Sequence, residues 1–410
     1  MLHIFKYWYV FITSLILVNC LGQTPKIQPQ MLSDDFDKKP PFFYKMPENL
    51  SSIDTSPGWH LNGQKILFTG TVYDVDGKTP VPNVILYYYQ TDINGVYKTK
   101  ESEERNMPKN KLGQTHGYIR GWVKTDENGT YSIYTVKPGT YPSRNEPAHV
   151  HLTIKEERIK EPYYIDDFVF DDDVLLTSKR RKNMNNRGGS GVIRFVQKEN
   201  LLIGERDIYL GLNIPDYPES AKVDLNSGKN IGEDIMSFTP FHAFGEDKGT
   251  KTCPICKYGW YHGILYFVGN NPHWDDIKKW LTFLDALSIK KEKYLKVYFV
   301  YGNETDYNFN QRNLDLKRLG NELVLKKVAL TFVPSFTDKN SEIYTNKINP
   351  NVQNTFIIYK RSNIINKHIN LQPDEKNFNR IIKNLDNTTN EYFKLPRPKP
   401  QIDLGSFETD

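Results

Sequence analysis

The sequence predicts two unlike domains in tandem: an all-β sandwich followed by an α/β domain. Three observations carry this. From Ile66 to about Asn213, short runs of β-forming residues alternate with turn residues, and no helical period intervenes. After Phe238 the pattern changes to strands alternating with amphipathic helices, in the order β-α-β-α-β-β-α. The chain of 410 residues is also long for one hydrophobic core, since domains run to roughly 150 residues each.

The first residues read as an export signal, residues 1–22. Lys6 precedes an apolar run from Tyr7 to Val18, followed by Asn19, Cys20, Leu21, Gly22 and Gln23. The run is short for a bilayer span, which needs about 20 residues, so no mature transmembrane helix is expected. Two processing routes fit. Leu17-Val-Asn-Cys20 resembles a lipoprotein box, in which Cys20 would carry a lipid and provide the one membrane attachment. Cleavage after Gly22 would instead release a soluble protein. Both routes place the chain outside the cytoplasm, as a periplasmic or cell-surface lipoprotein or as a secreted protein.

Residues 23–63, rich in Pro, Ser, Asp and Lys, read as a tether. The sandwich is expected over 64–218. Its strands are Ile66 to Tyr73, closed by Asp76-Gly77; Val84 to Tyr89, closed around Asn94-Gly95; Tyr118 to Lys124, closed by Asn128-Gly129; and Tyr131 to Val136, closed by Pro138-Gly139. A strand through His149 and His151 follows, and Arg206 to Asn213 reads as the closing strand. This cadence predicts an antiparallel sandwich or barrel. A linker over 219–247 leads to the α/β domain, 248–394. There Gly263 to Val268 is a strand, and a helix capped by Asn271 with Pro272 in its first turn buries Ile277, Trp280, Leu281 and Leu284. Strand Leu295 to Tyr301, helix Leu314 to Leu325, strand Val328 to Val333, a hairpin of Thr355 to Tyr359 with Asn363 to Ile369, and a helix bearing Phe378, Ile381, Ile382 and Leu385 complete it. Residues 395–410 read as an extended tail.

The formal net charge of +5 is small for this length, and basic and acidic residues mingle, so nothing demands a nucleic-acid partner. The run Lys179 to Lys182 beside Asp171 to Asp173 reads as a solvated loop.

The stretch Gly139 to His151 carries the chemistry. Histidines at i and i+2 of a strand project to the same face, about 6–7 Å apart along the chain, within the grip of one metal ion. Taken alone, such a pair is equally a solvated surface pair. Its company decides. Gly70 to Gly77, Val81 to Val84, Gln90 to Tyr97, Thr125 to Tyr131, Thr135 to Pro142 and Pro147-Ala-His-Val-His151 together resemble, in order and spacing, the intradiol ring-cleavage dioxygenases that open catechol and protocatechuate. The resemblance implies a non-haem ferric ion, Fe(III), held by Tyr97, Tyr141, His149 and His151. It further implies that an aromatic diol displaces Tyr141 and is cleaved by O2 between its hydroxyl-bearing carbons, with Arg144 assisting catalysis by charge stabilisation. Phenolates are hard donors that suit a trivalent ion. Where protocatechuate-type enzymes carry an arginine before Pro-Ala-His, this chain has Glu146, a carboxylate that disfavours an acidic diol.

Two other readings stay open. The sandwich retains a metal cage but binds a ligand without turnover, or the chain is a thiol-disulfide protein using Cys253 and Cys256. The α/β domain resembles the thioredoxin fold in its element order. Its Cys-Pro-Ile-Cys precedes the strand at Gly263, however, instead of following it, and Asn354 stands where thioredoxins have a cis proline. A structural disulfide or a lone thiol pair fits those positions better than a redox pair.

Overall fold

The computed structural model describes residues 32–143, 145–218 and 226–398. The signal segment, Cys20, Arg144 and residues 399–410 lie outside them.

Two sheets form the first half. The strands are β1 (Ile53–Thr55), β2 (Lys65–Tyr73), β3 (Ile85–Gln90), β4 (Arg120–Lys124), β5 (Thr130–Val136), β6 (His149–Lys155), β7 (Tyr163–Tyr164) and β8 (Phe168–Phe170). A short helix α1 (Ser178–Lys182) separates these from β9 (Val192–Ile193), β10 (Val196–Lys198), β11 (Leu201–Glu205) and β12 (Ile208–Tyr209). One sheet runs β1-β5-β2-β11-β10, with β12 also on β2; the other runs β4-β3-β6-β8-β9, with β7 on β6. Alternate residues of both sheets point inward and make the core, among them Ile66, Phe68, Leu86, Val123, Ile133, Val150, Leu152, Phe168 and Phe170.

Several expectations are corrected. The sandwich is mixed, not antiparallel: β1 pairs with β5, β11 and β12 with β2, and β9 with β8 in parallel. No hairpin joins these partners, so turn geometry does not dictate their direction. The expected closing strand, Arg206 to Asn213, is reduced to β12, because Arg206 and Asp207 break the ladder after β11 and the chain turns after Tyr209. The basic run is α1, capped by the Thr177 side chain, and not a loop. Within the supposed tether, residues 32–63 are packed. Phe36 and Phe42 are buried, β1 joins β5, and the Trp122 indole N–H donates to the Phe42 carbonyl at 2.8 Å. The physical reason is that the outer face of β3 and β4 carries Tyr87, Tyr89 and Trp122, an apolar surface that Phe42, Phe43, Met46 and Leu50 cover. Burying one such phenyl ring stabilises the fold by about 2 kcal/mol.

The second half is one mixed sheet. It contains β13 (Phe241–Phe244), α2 (Pro254–Tyr258), β14 (His262–Val268), α3 (Trp274–Lys291), β15 (Leu295–Tyr301), α4 (Phe309–Glu322), β16 (Ala329–Phe332), β17 (Thr355–Lys360), β18 (Asn363–Ile369) and α5 (Glu375–Asn387). The order is β13-β16-β15-β14-β17-β18, with β14, β15 and β16 mutually parallel where they pair. Ile277, Trp280, Leu281 and Leu284 of α3 are buried, as their i, i+3, i+4, i+7 spacing requires, and α3, α4 and α5 pack on one sheet face. The opposite face is covered by Ile235, Phe238, Ile255, Phe336, Ile343 and Ile348.

Here too there are differences. Helix α3 begins at Trp274 with His273 as its N-cap, because the Asn271 amide is engaged with the Asn351 carbonyl at 3.1 Å and does not cap. Cys253 and Cys256 form a disulfide across α2, a helix not anticipated, ahead of β14. The supposed linker is structured from 226 onward: β13 is an edge strand, and Asp234 bridges to Arg194 at 2.6 Å. The first residues of the tail also dock, with the Gln197 N–H donating to the Pro396 carbonyl at 3.0 Å. Glu205 ties the halves together through Lys360, at 3.2 Å, and Arg361. Among the described residues, no helix is long and apolar enough to cross a membrane.

Candidate metal centre

Strand parity sets the two histidines. In β6, Val150 and Leu152 point into the core, so His149 and His151 emerge together on the other face, half-buried. The two tyrosines come from loops that only glycine lets approach. Gly95 has φ +76°, and a Cβ there would stand 1.7 Å from the Thr140 carbonyl oxygen; one on Gly139 would stand 2.2 Å from that of Ile93. The Asn94-Gly95 and Pro138-Gly139 turns therefore lie back to back. Asp92 fixes the first of them, accepting from the backbone N–H groups of Asn94 and Val96 at 2.9 and 3.0 Å. Tyr97 and Tyr141 follow directly from these turns.

The result is convergence. Tyr97 Oη is 2.7 Å from Tyr141 Oη and 2.9 Å from His151 Nε2. Tyr141 Oη is 3.1 Å from His149 Nε2 and 3.3 Å from His151 Nε2, and the two Nε2 atoms are 3.1 Å apart. The structure thus brings together all four residues that the sequence singled out. Arg144, the remaining one, lies outside the described residues.

The outer nitrogens set the tautomers. His149 Nδ1 donates to the Pro147 carbonyl at 2.7 Å, and His151 Nδ1 is 3.1 Å from the Asp167 carboxylate. Both protons are then on Nδ1, leaving each Nε2 lone pair facing the tyrosines. Burial, with His151 alongside, lowers the His149 imidazole below its ordinary value and keeps it neutral. Burial alone would raise the Asp167 carboxyl, yet the His151 N–H and the neighbouring charges hold it below the usual range, so it is ionised. Burial raises both phenols, Tyr97 further through Tyr141. A multivalent cation is what would release their protons. Two hard phenol oxygens and two bare imidazole nitrogens form a donor set that suits ferric iron.

Sequence reasoning missed two supporting groups. Asp167 precedes β8, and no local spacing links it to His151. Tyr89 stacks on His151 with centroids 4.5 Å apart, and on its other side His116 stacks at 3.5 Å and 3°. Tyr89 was legible only as a strand residue; its register opposite His151 in the β3–β6 pair was the available signal. Glu146 is exposed, and its charge adds to the upward shift of Tyr141.

A family model described as Dioxygenase matches residues 39–183. Over 154 residues the chain is 28% identical to a catechol 1,2-dioxygenase of Acinetobacter baylyi, covering 30% of this chain and 45% of that protein. Over 98 residues it is 34% identical to a protocatechuate 3,4-dioxygenase beta chain of Burkholderia cepacia, covering 22% and 39%. The chain therefore spans less than half the length of these curated relatives. A solved catechol 1,2-dioxygenase from Acinetobacter, inhibited by bound mercury, aligns at 20% identity over 44% of this chain and 64% of that one, with a TM-score of 0.31.

Proposed function

We propose, from the premise that residues 39–183 belong to the intradiol ring-cleavage dioxygenase family, that this protein uses O2 to open an aromatic 1,2-diol between its hydroxyl-bearing carbons. The observation that carries the proposal is the convergence of Tyr97 Oη, Tyr141 Oη, His149 Nε2 and His151 Nε2 within 3.3 Å of one another along the contacts described. These four atoms are the proposed ligands of Fe(III). Bound there, the ion would supply Lewis-acid polarisation of the diol and a template for its two oxygens.

The protein's own groups do the rest. Tyr141 is itself half-buried and is followed by the exposed residues Pro142 and Ser143, which supports it as the proposed ligand that an incoming diol meets first. Its Oη is the proposed acceptor of a diol proton. Tyr97 and the two histidines stay in place, His151 clamped between Tyr89 and Asp167. Glu146 places a carboxylate at this entrance, which supports a neutral diol in preference to an acidic one. The apolar run Tyr7 to Val18 supports carrying out this reaction outside the cytoplasm.

The test is oxygen uptake by ferric-loaded protein across neutral and acidic catechols, with Tyr141→Phe as control. The expected result is a coloured protein that consumes O2 and yields a ring-opened diacid, with activity in Tyr141→Phe reduced at least about 100-fold. A coloured protein that consumes no O2 with any diol would leave a metal-retaining binding module. Protein that takes up no ferric iron would remove both readings.

A further inference from the structure

A second polar site lies where the sandwich meets the mixed sheet, remote in sequence from the tyrosines and histidines. Two cavities of about 290 and 270 Å3 share Ser190, Val192 and Arg194 in their walls and so form one cleft. Its walls carry seven Lys or Arg residues against four Asp or Glu. Most of the acids are already committed. Asp234 is paired with Arg194 at 2.6 Å, Asp171 with Arg181 at 2.7 Å, and Glu205 with both Lys360 and Arg361. Asp207 accepts from the Thr71 N–H at 2.9 Å, and burial raises its carboxyl toward the neutral form.

In the larger cavity the cations that no carboxylate pairs among the described residues are Lys229 and Arg397. Lys229 lines it with its stem packed away, only 8% of the residue being exposed, while its ammonium is open to the cavity and has no hydrogen-bond or ion-pair partner among the described residues. An ammonium that opens into a confined cavity with no counter-charge beside it is a ready contact for an anion. Beside it, the Trp260 ring carries Arg397 over its face at 4.1 Å and Arg361 at 5.6 Å. The Trp260 indole N–H and the Arg361 Nε–H are both buried without an acceptor. An open, unpaired ammonium with a second cation, Arg397, at the same cavity is an arrangement that an anion completes. The hydroxyl-bearing residues Ser178, Ser190, Ser237 and Ser362 are also in the wall.

We infer that this cleft binds a small polyanion, carrying phosphate or several carboxylates, and that Lys229 is its central contact. Occupancy would bridge the two halves, because Arg181 and Arg194 belong to the sandwich and Lys229, Trp260 and Arg397 to the later chain. The site is separate from the proposed iron ligands and stands or falls without them.

The experiment is isothermal titration calorimetry of the full chain with inorganic phosphate and with citrate, against sodium chloride at equal ionic strength. The expected result is saturable binding of phosphate, citrate or both at one site per chain, absent with chloride. In Lys229→Gln the Kd should rise by about tenfold or more, the loss of one charge-assisted contact, and Lys229→Arg should restore much of it. Arg397→Gln, at the exposed rim, gives a second reading should Lys229→Gln fold poorly, and it too should weaken binding. Heats no larger than those of chloride for both anions, or Kd values unchanged in both neutral variants, would overturn the inference.

Discussion

Asp167 and His151 form a carboxylate–imidazole pair at 3.1 Å, while the far nitrogen of the same ring stands 2.9 Å from the Tyr97 hydroxyl. The carboxylate thereby fixes which nitrogen of His151 is free to bind a metal. Partners of this kind tune ligand basicity and ring orientation. Asp167→Ala should therefore weaken ferric-ion affinity by about 10–100-fold, with Asp167→Asn between it and the parent because the amide oxygen still accepts. Chelator-competition dialysis measures this directly, and an unchanged affinity in Asp167→Ala would remove the carboxylate from the site's design.

Gly95 makes a second prediction, about how the loops meet. A Cβ at this φ of +76° would lie 1.7 Å from the Thr140 carbonyl oxygen, so Gly95→Ala must push the Tyr97 and Tyr141 loops apart. The left-handed conformation adds about 1 kcal/mol of strain. We expect the folded variant to lose the phenolate-to-iron absorption band while its far-ultraviolet circular dichroism stays that of the parent. A full-strength band would show that the loops tolerate separation.

Glu205 is the joint between the halves. Burial favours its neutral acid, but Lys360 and Arg361 hold it below the ordinary carboxyl range. The pair is partly shielded, with side-chain exposures of 16% and 6% for Glu205 and Arg361. Glu205→Gln keeps the shape and leaves two cations uncompensated, at a cost of about 3 kcal/mol. Chemical denaturation should record that loss; a change within about 0.5 kcal/mol, typical of a surface substitution, would contradict it.

His262 gives a pH dependence. Its Nε2 is 2.9 Å from the Thr388 hydroxyl, and burial, with Lys360, Lys291 and Arg361 nearby, pushes the imidazole down to about 3. In the unfolded chain it titrates near 6.5. Below that pH the unfolded state takes up a proton that the folded state refuses, so stability is full above about 6.5 and falls as pH drops toward 3. The contribution of this group reaches at most about 5 kcal/mol. Urea midpoints between pH 7 and 4 should fall less steeply in His262→Gln than in the parent; parallel slopes would assign the effect elsewhere.

Much of the site was readable before any tertiary contact. His149 and His151 share a face because strand periodicity is two, and Tyr97 and Tyr141 follow glycine-bearing turns whose chemistry is local. The strands β2 to β6 and the buried stripe of α3 were legible for the same reason. The packing of residues 32–63 was not, since Phe36 stands alone and Phe42-Phe43-Tyr44 is a short cluster in a polar stretch, and only the outer face of β3 and β4 explains the burial of Phe42. The start of α3 was misread because Asn271 looks like a cap until the Asn351 carbonyl engages it.

The amino-acid order alone determined which side chains carry the chemistry and the local geometry that presents them, because periodicity and turn preference act over a few residues. Tertiary structure decided the rest: Asp167 behind His151, Tyr89 beneath it, parallel partners for β2, and a cationic cleft around Lys229. Each of those joins residues far apart in the chain. Their meeting depends on sheet order and on the packing of one half against the other, which no short-range pattern encodes.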